Sequence, residues 1–131
     1  MDYTNVTEIV YSGRVVPAKV LVTRTGHVYR AKEYNEFVGA IKELLVEAMA
    51  TWVDEYPKGK PSLFRVDAQI STMRKPRGGR VGDIENIYKP IADAGTGIIY
   101  EDDSQIASIN VFIYRDQPEE GFIATFYEII E

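Results

Sequence analysis

The strongest constraint on the fold is a change of hydrophobic period part-way along the chain. Between Lys32 and about Asp54, Phe37, Ile41, Leu44, Leu45, Ala48 and Trp52 recur at steps of three and four, with Glu36, Lys42, Glu43 and Glu47 on the other side. That is the pattern of a core-packing helix, with Trp52 its anchor. Tyr56-Pro57-Lys58-Gly59-Lys60-Pro61 ends it in a loop. Elsewhere the period is two. From Leu63 to Thr72, Phe64, Val66, Ala68 and Ile70 oppose Leu63, Arg65, Asp67, Gln69 and Ser71, which makes a strand with one buried face. Ile106 to Tyr114 alternates again, Pro118-Glu119-Glu120-Gly121 turns, and Phe122 to Ile130 is a last strand, so this pair reads as an antiparallel hairpin closing the sheet. Upstream, Ile9-Val10-Tyr11 and the β-branched run from Val15 to Val22 read as two short strands broken by Ser12-Gly13 and Pro17. After an Arg24–His27 turn, Val28-Tyr29-Arg30 returns. The expected fold is α/β (α+β): a mixed β-sheet with one long core helix and a second, short one.

A chain of 131 residues, 45% hydrophobic and 27% charged, has the size of one soluble domain, so residues 1–131 are expected to form a single unit. There is no cysteine, which excludes disulfides and thiolate metal sites. No basic leader precedes an apolar run near Met1, and no segment approaches the ~20 apolar residues of a membrane span. A cytoplasmic protein without membrane contact is the expectation.

Charge is divided unevenly. Residues 1–80 hold 13 Lys/Arg against 9 Asp/Glu, while residues 81–131 hold 2 against 11, within an overall charge of −5. Cations to hold phosphates beside acids to hold a metal is the arrangement a metal-dependent phosphodiesterase needs. Arg14, Lys19, Arg24, Arg30 and Lys32 form one basic group, readable as scattered solvated cations or as a phosphate-tracking face. Arg74-Lys75-Pro76-Arg77-Gly78-Gly79-Arg80 is a second, with four cations and no acid, and its glycines and proline oppose regular structure. Arg14, Lys19, Arg24, Arg74, Lys75, Arg77 and Arg80 are the candidate DNA contacts. His27, the one histidine, reads as an exposed turn residue.

The acids concentrate just beyond that basic run. On a helix from Ile84 to about Ala94, Ile84, Ile87, Tyr88 and Ile91 fall on one side, while Glu85, Lys89 and Asp93 form an acid–lysine–acid ladder on the other. Alone, the ladder is a solvated, salt-bridged face. Asp83 and Glu85 can converge on one ion if Asp83 is still extended where the helix starts, although Asp83 would equally serve as a helix cap. Asp102-Asp103 is a second acidic pair, and adjacent like charges are costly unless solvated or neutralised by a cation. Asp83, Glu85, Asp102 and Asp103 are hard oxygen ligands, which favour Mg²⁺ or Mn²⁺ over zinc. Ions so held can activate water and stabilise the leaving 3′ oxygen of a phosphodiester, with Lys89 neutralising charge on the phosphate.

At these residues the chain resembles the RusA-type Holliday junction resolvases. The family's acid pair, Asn, aliphatic residue, lysine, Asp-Ala and later Asp-Asp-x-Gln-aliphatic stand here as Asp83-Ile84-Glu85-Asn86-Ile87-Tyr88-Lys89, Asp93-Ala94 and Asp102-Asp103-Ser104-Gln105-Ile106. The likeness covers most of the chain from about Val22 onward. It implies a RusA-like fold and a homodimeric, Mg²⁺-dependent endonuclease that cuts four-way DNA junctions by two symmetric incisions. By position, Asp83, Glu85 and Asp103 match the family's metal-binding carboxylates, Lys89 its catalytic lysine and Asp102 the neighbouring acid; Asp93 matches a further acid with no role assigned. Two departures stand out: Glu85 where Asp is usual, one methylene longer, and Gly95 where Leu is common, which would loosen the exit of the helix. A flap or branched-DNA nuclease on the same scaffold, or a non-catalytic DNA-binding module with a degenerate metal site, is the alternative.

Overall fold

A computed structural model describes residues 1–18, 20–22, 24–26, 28–30, 32–76 and 84–130, with 20–22 and 28–30 described as backbone. The elements are β1 (Asp2–Ser12), β2 (Val20–Val22), β3 (Val28–Arg30), α1 (Lys32–Ala48), β4 (Leu63–Ser71), α2 (Ile84–Gly95), β5 (Ile106–Tyr114) and β6 (Gly121–Ile130). Short 3₁₀ turns cover Ala50–Trp52 and Asp103–Gln105.

The main sheet has four strands in the order β1-β6-β4-β5, and β2 pairs with β3 in a small hairpin of its own. β4 and β5 run parallel, while β6 is antiparallel to both β1 and β4, so the sheet is mixed as expected. Parallel neighbours need a crossover rather than a tight turn, and here α2 supplies it, making β4–α2–β5 one βαβ unit. The short helix is therefore carried across the sheet by the connection on which it sits.

Two expectations about the strands are corrected. β5 and β6 do not form a hairpin, because β4 lies between them. Two strand spacings are only about 10 Å, a gap the link from Arg115 to Glu120 spans easily, so β6 takes the interior position where Phe122, Ala124 and Phe126 are buried. At the other end, β1 is one strand of 11 residues starting at Asp2, and the chain from Gly13 to Ala18 is not a strand. Gly13 adopts φ +148°, and Pro17 lacks the N–H a ladder would use. This segment forms a strap that sends its backbone hydrogen bonds elsewhere.

α1 buries Phe37, Ile41 and Leu45 of the expected stripe, with Leu44 and Ala48 half-buried and Tyr34 buried in addition, but it stops at Ala48. Trp52 belongs to the following 3₁₀ turn and is only half-buried, with its ring edge-on to Tyr56 at 5.7 Å. The anchors are instead Ile41 and Leu45, both fully buried. Together with α2 they cover the sheet face bearing Phe64, Val66, Ala68 and Ile70. No described helix is long and apolar enough to cross a membrane.

Among the described residues, the other sheet face carries no helix. Register sets its side chains in rows across the strands: Val10, Ile123, Gln69 and Phe112 in one, Glu8, Thr125, Asp67 and Asn110 in the next. Phe112 is 59% exposed and Val10 58%, and Tyr3, Leu63, Tyr114 and Ile123 are exposed as well. Arg65 on this face is occupied internally, donating to Asp67 at 2.8 and 2.9 Å while lying over Tyr3 and Tyr127.

Candidate active site

α2 buries Ile87, Tyr88, Pro90, Ile91, Ala92, Ala94 and Gly95, and exposes Ile84, Glu85 and Asn86 in its first turn. Pro90 lies inside the helix. A proline there has no N–H for the carbonyl four residues earlier, which in this helix is that of Asn86. That carbonyl instead accepts the backbone N–H of Ala18 at 2.8 Å, so the missing helical bond becomes the attachment point of the strap. At the other end, Gly95 leaves room for the fully buried Tyr100, whose hydroxyl donates to the Ala92 carbonyl at 2.6 Å. The Gly95 carbonyl accepts from the N–H groups of Ile98 and Ile99 at 3.1 and 2.9 Å. The expectation that Gly95 loosens the helix exit is thus corrected: the missing Cβ lets an aromatic ring clamp it.

The second acidic pair is placed by Gln105, which is fully buried. Its Oε1 accepts the N–H groups of Glu101 and Asp102 at 2.9 and 3.1 Å, and its Nε2 donates to the Lys58 and Ser62 carbonyls at 3.0 Å each. All its hydrogen-bonding capacity goes into fixing the acidic turn against the loop before β4, as a buried amide requires. Asp102 caps the 3₁₀ turn, its Oδ1 accepting the Ser104 N–H at 3.3 Å. The Ser104 N–H and then its hydroxyl hold Asp102 below its usual range. Asp103 goes the other way: partial burial, then the neighbouring Asp102 carboxyl, push it up, and Lys89 opposes them.

Lys89 and Asp93 do form part of the expected ladder, at 3.5 Å. Yet it is not a freely solvated face, because the Tyr34 hydroxyl of α1 donates to Asp93 Oδ2 while Asp93 Oδ1 faces the Lys89 ammonium. Buried Tyr88 lies under the same cluster. Burial first, then the charges of Asp103 and Asp93, raise its hydroxyl well above its ordinary value, and that hydroxyl has no hydrogen-bond partner among the described residues.

The structure thus brings Lys89, Asp93 and Asp103 together from α2 and the following turn, with Asp102 adjacent. Glu85 is exposed in the first turn of α2. Asp83 lies outside the described residues, as do Lys19, His27, Arg77 and Arg80. Among the described residues, no three acidic or histidine side chains are grouped to hold a metal ion. Arg14 is exposed and 4.0 Å from Glu33; Arg24 is exposed in the β2–β3 turn; Arg74 is half-buried and Lys75 exposed. From the sequence alone, Tyr34 and Tyr88 have no place in the site, and Gln105 stands in the motif without its bridging role. Tyr34 and Tyr88 carried the signature of core aromatics, and the long-range role of Gln105 follows only from the turn it fills.

A protein-family model described as "Endodeoxyribonuclease RusA" matches residues 15–121. No match was found among curated proteins.

Proposed function

The chain belongs to the RusA endodeoxyribonuclease family, and from that premise we propose that it is a divalent-metal-dependent endonuclease resolving four-way DNA junctions by paired, symmetric cleavage. The observation that carries this reading is the meeting of Lys89 with Asp103 and Asp93 across two segments of the chain. A cation beside converging acids is the minimum that phosphodiester hydrolysis asks of a protein.

Asp83, Glu85 and Asp103 would hold Mg²⁺ or Mn²⁺, with Asp102 contributing the oxygen not used in capping. The donor set fits such an ion: it is all oxygen, without sulfur or imidazole, and its four acids outnumber the two described lysines that act on them, Lys89 and Lys60. When bound, the ion supplies an activated water and charge stabilisation for the departing 3′ oxygen. Lys89 neutralises charge on the phosphate, and its ammonium is held in place by Asp93, itself fixed by the Tyr34 hydroxyl. Gln105 fixes the turn that carries Asp103 against the loop before β4. The basic side chains grip the DNA backbone without reading its sequence, in keeping with a substrate defined by branching rather than by base order.

The working unit is a homodimer, because a two-fold axis sets two equivalent sites against two equivalent strands of a junction. The uncovered sheet face supports this assignment. It is largely apolar, and its Arg65 is paired with Asp67 instead of being free for a phosphate, which suits a second copy of the chain better than DNA.

The test incubates the protein with a synthetic four-way junction, a flap and linear duplex in Mg²⁺ and in Mn²⁺. Resolution predicts paired nicks in the junction that disappear with Asp83→Asn and with Lys89→Ala. Preferred cutting of the flap would reassign the enzyme to branched-DNA processing. Junction binding without cutting in either metal would make the chain a binding module.

A further inference from the structure

Outside the acidic cluster, the best-satisfied carboxylate among the described residues is Glu120, just before β6. Its Oε1 accepts the Val15 N–H at 2.9 Å, and its Oε2 accepts the Thr72 hydroxyl and the Met73 N–H, both at 2.8 Å. Its own carbonyl accepts the Gly13 N–H at 3.1 Å. Three separate segments therefore meet on one residue: the strap after β1, the end of β4 and the turn before β6.

Two of those segments lead directly into cations. Arg14 lies between the two strap N–H groups that Glu120 holds. Beyond Thr72, the Arg74 N–H donates to the same Thr72 hydroxyl oxygen at 3.2 Å, and the Arg74 carbonyl accepts from Asp116 at 2.9 Å. The strap also continues to Ala18, which is bonded to Asn86 of α2. Hydrogen bonds thus tie the beginning of the basic stretch to the strap through Glu120, and four residues of strap backbone lead on to the Ala18 bond with the helix bearing Lys89. Burial alone would raise the Glu120 carboxyl, but the Met73 and Val15 N–H groups, the Thr72 hydroxyl and nearby Arg74 outweigh it and hold it below the usual range.

We propose that Glu120 is a positioning residue for the DNA substrate: it fixes Arg14 and Arg74-Lys75 as one cationic rim, in register with α2. This rests on the DNA-binding reading of those cations and deepens it. An acid on a DNA-facing rim ordinarily repels the phosphate backbone, so its removal should tighten binding. Positioning predicts the opposite sign. Without the carboxylate, the backbones carrying Arg14 and Arg74 lose their common anchor, and their charges no longer present a fixed spacing to the phosphates.

The experiment measures four-way junction affinity by fluorescence anisotropy in Ca²⁺ at several salt concentrations for the full chain, Glu120→Gln and Thr72→Val, with melting curves to confirm folding. It also measures the saturated single-turnover rate in Mg²⁺. Glu120→Gln is expected to weaken binding by roughly tenfold and to flatten the dependence of log affinity on log salt by about one unit. The saturated rate should stay within about twofold of the parent. Thr72→Val, which leaves the charge unchanged, should weaken binding in the same direction. In the Glu120→Gln background, the combined Arg14→Ala and Arg74→Ala change should cost much less affinity than it does in the parent. Unchanged or tighter binding by a folded Glu120→Gln variant overturns the proposal, as does strict additivity in the cycle. If the two arginine substitutions leave the parent's affinity untouched, the DNA-binding reading of the rim itself fails, a different result from loss of coupling.

Discussion

At Gly95, one hydrogen atom in place of a side chain lets the Tyr100 ring close over the end of α2. A Cβ built there would lie 2.6 Å from Tyr100 Cζ and nearer still to its hydroxyl oxygen, whereas ordinary contacts begin beyond 3.4 Å. Gly95→Ala is therefore expected to lower stability by about 1–3 kcal/mol, because overpacking at a fully buried ring outweighs the better helix propensity of alanine. Thermal melts check this, and Tyr100→Phe in the same background should recover part of the loss by removing the atom in closest contact. Glu120 allows a prediction with a pH sign. Its folded-state carboxyl is lowered from an ordinary value of 4.5, so its stabilising effect is fully present above that value and is lost as pH falls through the lowered one. Glu120→Gln should then cost about 1–3 kcal/mol at pH 7, where three donors lose a charged acceptor. The gap between parent and variant should narrow steadily in urea melts taken below about pH 4.5. A constant gap from pH 7 to pH 3 would show that the residue's ionisation is not linked to folding.

At the level of elements, α2 depends on a proline that ordinarily breaks helices. Pro90 leaves the Asn86 carbonyl without its helical donor, and Ala18 fills the vacancy at 2.8 Å. Pro90→Ala would supply a competing N–H, leaving the buried strap amide of Ala18 to share its acceptor. The expected outcome is faster hydrogen exchange at Ala18, by about tenfold or more, with helical circular dichroism unchanged or slightly higher. This dependence also explains what the sequence could and could not reveal. α1, β4, β5, β6 and α2 were legible because each has a local period, and the Lys89–Asp93 pair because its residues stand four apart on one helix. The order of the strands was not legible. The link from Arg115 to Glu120 can end in a hairpin or step across β4, and only the burial of Phe122, Ala124 and Phe126 decides it. Nor could the strap be read from a β-branched run, since its bonding partners, Glu120 and Asn86, are far away in sequence. Tyr34 reaches Asp93 for the same reason, across the packing of α1 on α2.

For the whole molecule, the consequential surface is the uncovered face of the sheet. Four strands 4.8 Å apart and about nine residues long give a face of about 19 by 30 Å, or roughly 600 Å² per copy. Two such faces together reach about 1,200 Å², the lower end of specific protein interfaces. A concavity of about 420 Å³ on this face is lined by Glu8, Asp67, Gln69, Asn110, Phe112, Ile123, Thr125 and Tyr127 among others, and lies away from the acidic cluster. With Asp67 paired to Arg65, the acid left to disfavour a phosphate backbone is Glu8, and the exposed aromatics disfavour bulk water. A second copy, related by a two-fold axis, would cover both at once and leave each cluster around Lys89 open to DNA. Phe112 is the position to test, because it is the most exposed aromatic of the face and stands on the edge strand β5, where substitution disturbs the core least. Phe112→Asp is expected to convert a dimer into a monomer in light scattering behind size exclusion, with a melting curve that no longer depends on protein concentration. It should also uncouple the two incisions, so that a supercoiled cruciform substrate accumulates as nicked circle before it is linearised. A variant that remains dimeric and still cuts both strands within one encounter would place the two-fold contact on another surface.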